Sequence, residues 1–123
     1  MALEVHTEII GEVLKFALKG KLLASDAQSL GTSVQSQLQE HRKLLFDLAD
    51  MTEIDYNGLH ALVSSLQWAY LKGCTAKLAA IQPVPRILFD ITRVSQVFEC
   101  FETADEALQA LQDTSDAESP SSP

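Results

Sequence analysis

The sequence predicts an α/β fold: a mixed, mostly parallel sheet of about five strands with four helices. Three observations carry this reading. Short apolar runs alternate along the chain with segments of helical period. The first two runs are separated by a tight turn, so the sheet opens with an antiparallel hairpin. Each later run is followed by a helix, and strands alternating with helices pair in parallel.

The elements follow in order. Leu3, Val5 and Ile9 occupy odd positions with mostly polar residues between them, the period of a strand. Ile10-Gly11-Glu12 reads as a turn, and Val13 to Leu18 as a second strand with Leu14, Phe16 and Leu18 on one face. Gly20 breaks the pattern. Ser25 is a candidate helix cap with Gln28 three residues on, and Ala27, Leu30, Val34 and Leu38 predict a helix ending near His41. Leu44-Leu45-Phe46-Asp47-Leu48 reads as a strand buried on both faces. An acidic loop with Asp50, Glu53 and Asp55 leads into a helix from Leu59 to Gly73. Cys74 to Ile81 is the next strand, ended by Pro83 and Pro85. Val84, Ile87, Leu88 and Ile91 fall at i, i+3, i+4 and i+7, an amphipathic helix with Pro85 tolerated in its first turn. Val97 to Phe101 reads as a short fifth strand. Thr103 and Glu106 then form a capping-box pattern that opens a last helix through Leu111. The predicted order is β-β-α-β-α-β-α-β-α.

The 123 residues suffice for one domain, assigned to residues 1–112. Residues 113–123, DTSDAESPSSP, hold three acids, no bases and no large apolar side chain, and are expected to form a disordered acidic Ser/Pro tail. Nine Lys and Arg stand against 17 Asp and Glu, a formal charge of −8. This balance argues against nucleic acid and against electrostatic docking on anionic lipid. No apolar run approaches the roughly 20 residues of a membrane helix, so no direct membrane insertion is expected. The first residues lack a secretory signal pattern, and two cysteines are too few for a disulfide framework. Together these features predict a cytoplasmic protein.

No catalytic constellation is visible, and a non-enzyme without cofactor or metal is expected. His6, His41 and His60 are not paired at metal-ligand spacing, and the five glycines form no phosphate loop. Asp47 and Asp50, with Glu53 and Asp55 close behind, are read as acids that favour the following helix N-terminus.

The run from Leu44 to Leu59, LLFDLADMTEIDYNGL, resembles the signature of the STAS domain family, named for sulfate transporters and anti-sigma-factor antagonists. Asp47-Leu48, with Asp50 in the same signature loop, matches the strand end. Ile54-Asp55-x-x-Gly58-Leu59 matches the start of the following helix. Leu18-Lys19-Gly20-Lys21-Leu22 and Glu106-Ala107-Leu108 fit further family features, and the likeness spans about residues 3–112. The resemblance implies a STAS-type single domain and a regulatory protein–protein interaction module. Its implied partner is an anti-sigma factor or Ser/Thr kinase of the anti-sigma type. The alternative is a cytoplasmic STAS subunit of an ABC-type lipid transporter, partnered by an ATPase and a permease.

The sequence departs from the family pattern where antagonists carry Ser-Ser, with Tyr56 and Asn57 in those positions. Asn57 stands where relatives are phosphorylated, and it has no hydroxyl. It reads as a helix N-cap, as a switch held permanently in its partner-competent state, or as both. The resemblance implies a partner surface at Asp55, Tyr56, Asn57, Gly58 and His60. A helical wheel sets Leu59, Leu62, Val63, Leu66 and Tyr70 against the sheet and leaves Trp68 opposite. That side chain either packs on a neighbouring helix or makes a partner or homodimer contact. Phe89 likewise falls outside the stripe of its helix and is expected on the partner-binding surface.

Overall fold

The computed structural model describes residues 3–37 and 42–113. Strand β1 (Glu4–Ile10) and strand β2 (Val13–Leu22) form the expected antiparallel hairpin around Gly11. A 3₁₀ turn (Ala24–Asp26) leads into helix α1 (Ala27–Gln37). Strands β3 (Lys43–Asp47) and β4 (Met51–Ile54) precede helix α2 (Tyr56–Leu71). Strand β5 (Thr75–Ala79), helix α3 (Pro83–Ile91), short helix α4 (Val94–Val97), strand β6 (Cys100–Phe101) and helix α5 (Ala104–Asp113) complete the domain. Leu38 and His41 of the first predicted helix, and tail residues 114–123, lie outside the described residues.

The sheet order is β1-β2-β3-β5-β6, with β4 paired to the far end of β2. Among the described residues, only the β1–β2 pair is antiparallel. Strand alternation sorts the core into two layers. Leu14, Phe16, Leu18, Leu44 and Phe46 join the larger cluster with α1, α2 and α3, whereas Val13 and Leu45 join Ala107 and Leu111 of α5. Phe16 and Phe46 lie directly opposite in register and stack with centroids 5.0 Å apart, a cross-strand pair contributing roughly 0.5–1.5 kcal/mol beyond burial.

The structure differs from the predicted elements where tertiary pairing overrides local pattern. Gly20 does not end β2. Its φ of +97° suits a residue without a Cβ, and a register shift between Gly20 and Lys21 passes the strand from β3 to β4. The acidic loop therefore contains strand β4. Thr52 and Glu53 are exposed and Met51 is buried, so its apolar signal is slight. Ser25 lies inside the 3₁₀ turn, and the cap is made by Asp26, whose carboxylate accepts the Leu23 N–H at 2.9 Å and the Leu3 N–H at 3.3 Å. The predicted strand Val97–Phe101 shrinks to Cys100–Phe101, because Val97 closes α4. The Thr103 cap holds as predicted, its hydroxyl accepting the Glu106 N–H at 3.1 Å.

Helix α3 is rotated relative to its apolar stripe. Phe89 is fully buried and Pro85 is buried, while Val84, Ile87 and Ile91 are 65%, 61% and 71% exposed. The expectation that Phe89 faces a partner is thus overturned. Ala80 (φ +61°) and Arg93 (φ +65°) both adopt left-handed backbone, and the Ala80 N–H is tied to the Phe101 carbonyl at 2.9 Å. Between those fixed turns, the largest side chain fills the core.

Candidate functional site at the start of helix α2

Asp55 builds the site. Its extended backbone ends β4 and caps α2, and its Oδ1 accepts the Gly58 N–H at 2.6 Å. Its Oδ2 accepts the Ala24 N–H at 3.1 Å, and its own N–H donates to the Leu22 carbonyl at 3.2 Å. One residue therefore joins the end of β2, the 3₁₀ turn and the first turn of α2. The carboxylate also offsets the positive end of the helix dipole.

Asp55 takes the capping role that the sequence reading gave to Asn57. Asn57 is instead the second helical residue, and it is exposed. Gly58 is buried beneath it, where a Cβ would meet the Leu22 carbonyl oxygen at 2.1 Å. Its role is therefore close packing of α2 on the end of β2, not surface contact.

His60 stands on a ridge between two depressions. On one side, Asn57, His60 and Trp68 line a groove of about 560 Å³ between α2 and the 3₁₀-α1 segment, with Ala24, Ala27 and Gly31 opposite. On the other, Tyr56, His60 and Val63 face Thr92 and Val94 across a smaller hollow of about 200 Å³. Tyr56 is 67% exposed. Trp68 is half-buried, packs against the core and lies beneath the Lys72 ammonium at 5.3 Å. It is not on an open face: α1 packs against α2, and Trp68 lines the groove between them. Tyr70, expected against the sheet, is 42% exposed; its hydroxyl donates to the Ala76 carbonyl at 2.7 Å and its ring stacks on Phe98.

The acids of the signature loop do not converge on the helix start. Asp47 pairs with Lys15 at 3.3 Å and accepts the Ala49 N–H at 3.0 Å. Glu53 pairs with Lys21 at 3.6 Å, and Asp50 is exposed, its carbonyl accepting the Gly20 N–H at 3.0 Å. Of these acids, only Asp55 has its carboxylate hydrogen-bonded to the α2 first turn. The α1–α2 groove was missed in the sequence. Its available signal was the small residues Ala24, Ala27 and Gly31, spaced three and four apart.

Among the described residues, no group of three or more His, Cys, Asp or Glu could hold a metal ion. No described helix is long and apolar enough to cross a membrane. The site thus consists of an exposed helix start, fixed by Asp55 and Gly58, that presents Tyr56, Asn57 and His60.

The STAS domain model matches residues 4–107, and the chain belongs to the STAS domain family. Its fold is similar to that of an anti-sigma factor antagonist from Mycobacterium paratuberculosis, with 19% identity and a TM-score of 0.82 over 91% of this chain and 96% of that one. A putative anti-sigma factor antagonist from Thermotoga maritima gives 18% identity and a TM-score of 0.81, over 88% and 94% of the two chains. A sulfate transporter family protein from Wolinella succinogenes gives 15% identity and a TM-score of 0.75, over 85% and 88%. None of the curated proteins matches the sequence.

Proposed function

We propose that this protein is a non-enzymatic cytoplasmic regulator of the anti-sigma-factor-antagonist type. It binds an anti-sigma factor or anti-sigma-type Ser/Thr kinase through the start of α2, and so acts in transcription by partner switching. Asp55 positions this surface, and Tyr56, Asn57 and His60 make the contact, with Trp68 at the far end of the adjoining groove.

One observation carries the reading. Position 57 is exposed in the first turn of a helix whose start is fixed from below, and it carries a carboxamide instead of a hydroxyl. In relatives of the antagonist class, that position takes a phosphate, which adds about two negative charges and three acceptor oxygens. Asn57 keeps it neutral and permanently competent for the partner.

The test is affinity capture from the source cell, followed by titration with the purified kinase. Recovery of an anti-sigma-type kinase whose binding is weakened by Asn57→Glu supports the reading. Recovery of a transporter ATPase with its permease instead moves the protein to the lipid-transport class of STAS subunits.

A further inference from the structure

Asn57 is the only asparagine of the chain, and Gly58 follows it. Asparagine is among the thermolabile residues, and it reacts most readily before glycine, where no Cβ obstructs the next nitrogen or restricts its rotation. In that reaction the glycine nitrogen gives up its proton and bonds to the asparagine Cγ, and the side-chain nitrogen leaves as ammonia. Water then opens the five-membered imide to aspartate or isoaspartate. The sum is amide plus water to acid plus ammonia, with no oxidant or reductant. Asn57 is exposed, so water reaches it.

The structure closes this route twice. The attack needs the Gly58 N–H to lose its proton, and it needs the Asn57–Gly58 peptide plane to turn until the nitrogen faces Cγ. Asp55 Oδ1 accepts that hydrogen at 2.6 Å. A nitrogen anion formed there would stand beside a carboxylate, and like charges at that range oppose its formation. The carboxylate is itself held, since its Oδ2 accepts the Ala24 N–H at 3.1 Å. The peptide plane is fixed as well. Both residues are helical, and the Leu59 N–H donates to the Asp55 carbonyl at 2.9 Å. Gly58 lies so close to β2 that a Cβ would meet the Leu22 carbonyl oxygen at 2.1 Å. Turning the plane moves Gly58 against that backbone, so it requires the first turn of α2 to open.

We infer that Asn57-Gly58 is a latent deamidation site, closed while Asp55 caps α2 and reactive only in molecules whose first helical turn has opened. Deamidation is slow beside such opening, so its rate follows the open fraction. The product carries a negative charge at position 57, and its isoaspartyl form also adds a carbon to the backbone beside Gly58. In the function proposed above, that charge releases the partner. This consequence rests on that reading, whereas the chemistry at Asn57 does not.

Peptide mass spectrometry of the full chain, aged at mildly alkaline pH, tests the inference through the mass gain of amide-to-acid conversion at Asn57. The folded wild type should convert at least about thirtyfold more slowly than the chain unfolded in guanidinium chloride. Asp55→Ala removes the acceptor and should speed conversion of the folded chain roughly five- to thirtyfold, the factor that loss of a helix cap implies. Asp55→Asn keeps an acceptor oxygen and should fall between the two. Leu111→Val loosens the core on the other face of the sheet and should leave the rate at the wild-type level. Three results overturn the proposal: folded and unfolded chains that convert alike, Asp55→Ala as slow as the wild type, or Leu111→Val as fast as Asp55→Ala. No partner enters these measurements, so their failure is distinct from failure of the binding assignment.

Discussion

A methyl group on Gly58 would sit 2.1 Å from the carbonyl oxygen of Leu22. The atom in its way is backbone, at the end of a strand held by β4. The start of α2 is thus placed by contact between two backbones, and the exposed residues beside Gly58 inherit that placement. Gly58→Ala should lower stability by about 1–3 kcal/mol, the ordinary cost of overpacking. Urea unfolding measures this, and an unchanged midpoint would show that the helix start is free to shift.

Asp55 makes the same placement through hydrogen bonds. Asp55→Ala leaves the Gly58 and Ala24 N–H groups without the carboxylate and should cost about 1–2 kcal/mol. Asp55→Asn keeps an acceptor oxygen for the cap and should recover part of that loss. Equal losses in the two variants, by thermal or urea unfolding, would mean that charge, not capping, is the main contribution.

The rotation of α3 separates Phe89 from its neighbours. Phe89→Ala should destabilise by about 3–5 kcal/mol, since it empties a fully buried position. Ile91→Ser should stay within about 0.5 kcal/mol, as an exposed substitution does. The helical stripe in the sequence predicts the reverse ranking, so unfolding of these two variants decides between them.

Burial pushes up the Cys74 and Cys100 thiols and the Tyr70 phenol, with Arg42 opposing the shift at Cys74. All three are neutral acids that the folded state holds protonated more firmly. Their contribution is fully present below the unfolded values, near 9.0 for the thiols and 10.0 for Tyr70. It is lost as pH rises through the folded values, because the unfolded chain releases those protons first. Melting temperature should therefore fall through the alkaline range, and less so in Cys100→Ala. A flat alkaline profile would contradict this.

Much of the architecture was legible because strand and helix periods differ. The hairpin, the burial of β3 on both faces and the Thr103 cap were all readable from local pattern. What escaped was decided by tertiary pairing. Gly20 read as a break because a pattern cannot show a strand changing partner, and β4 has too few apolar residues to announce itself. The α3 stripe misled because periodicity shows that a helix has an apolar face but not which way it turns.

The site divides along the same line. Asp55, Tyr56, Asn57, Gly58 and His60 were singled out from the signature, but how each sits is decided by the packing of α2 on β2. Asp55 caps, Gly58 packs, and Asn57 stands free of the capping role. Trp68 joins Asn57 and His60 only because α1 lies beside α2.

In the function proposed above, an uncharged side chain at position 57 keeps this surface open to its partner. The most direct measurement is quantitative affinity capture from the source cell, comparing the wild-type chain with Asn57→Glu at matched stability. The expected result is an anti-sigma-type kinase enriched on the wild type and reduced at least tenfold on the variant. Equal recovery on both, or no such kinase on either, would contradict it.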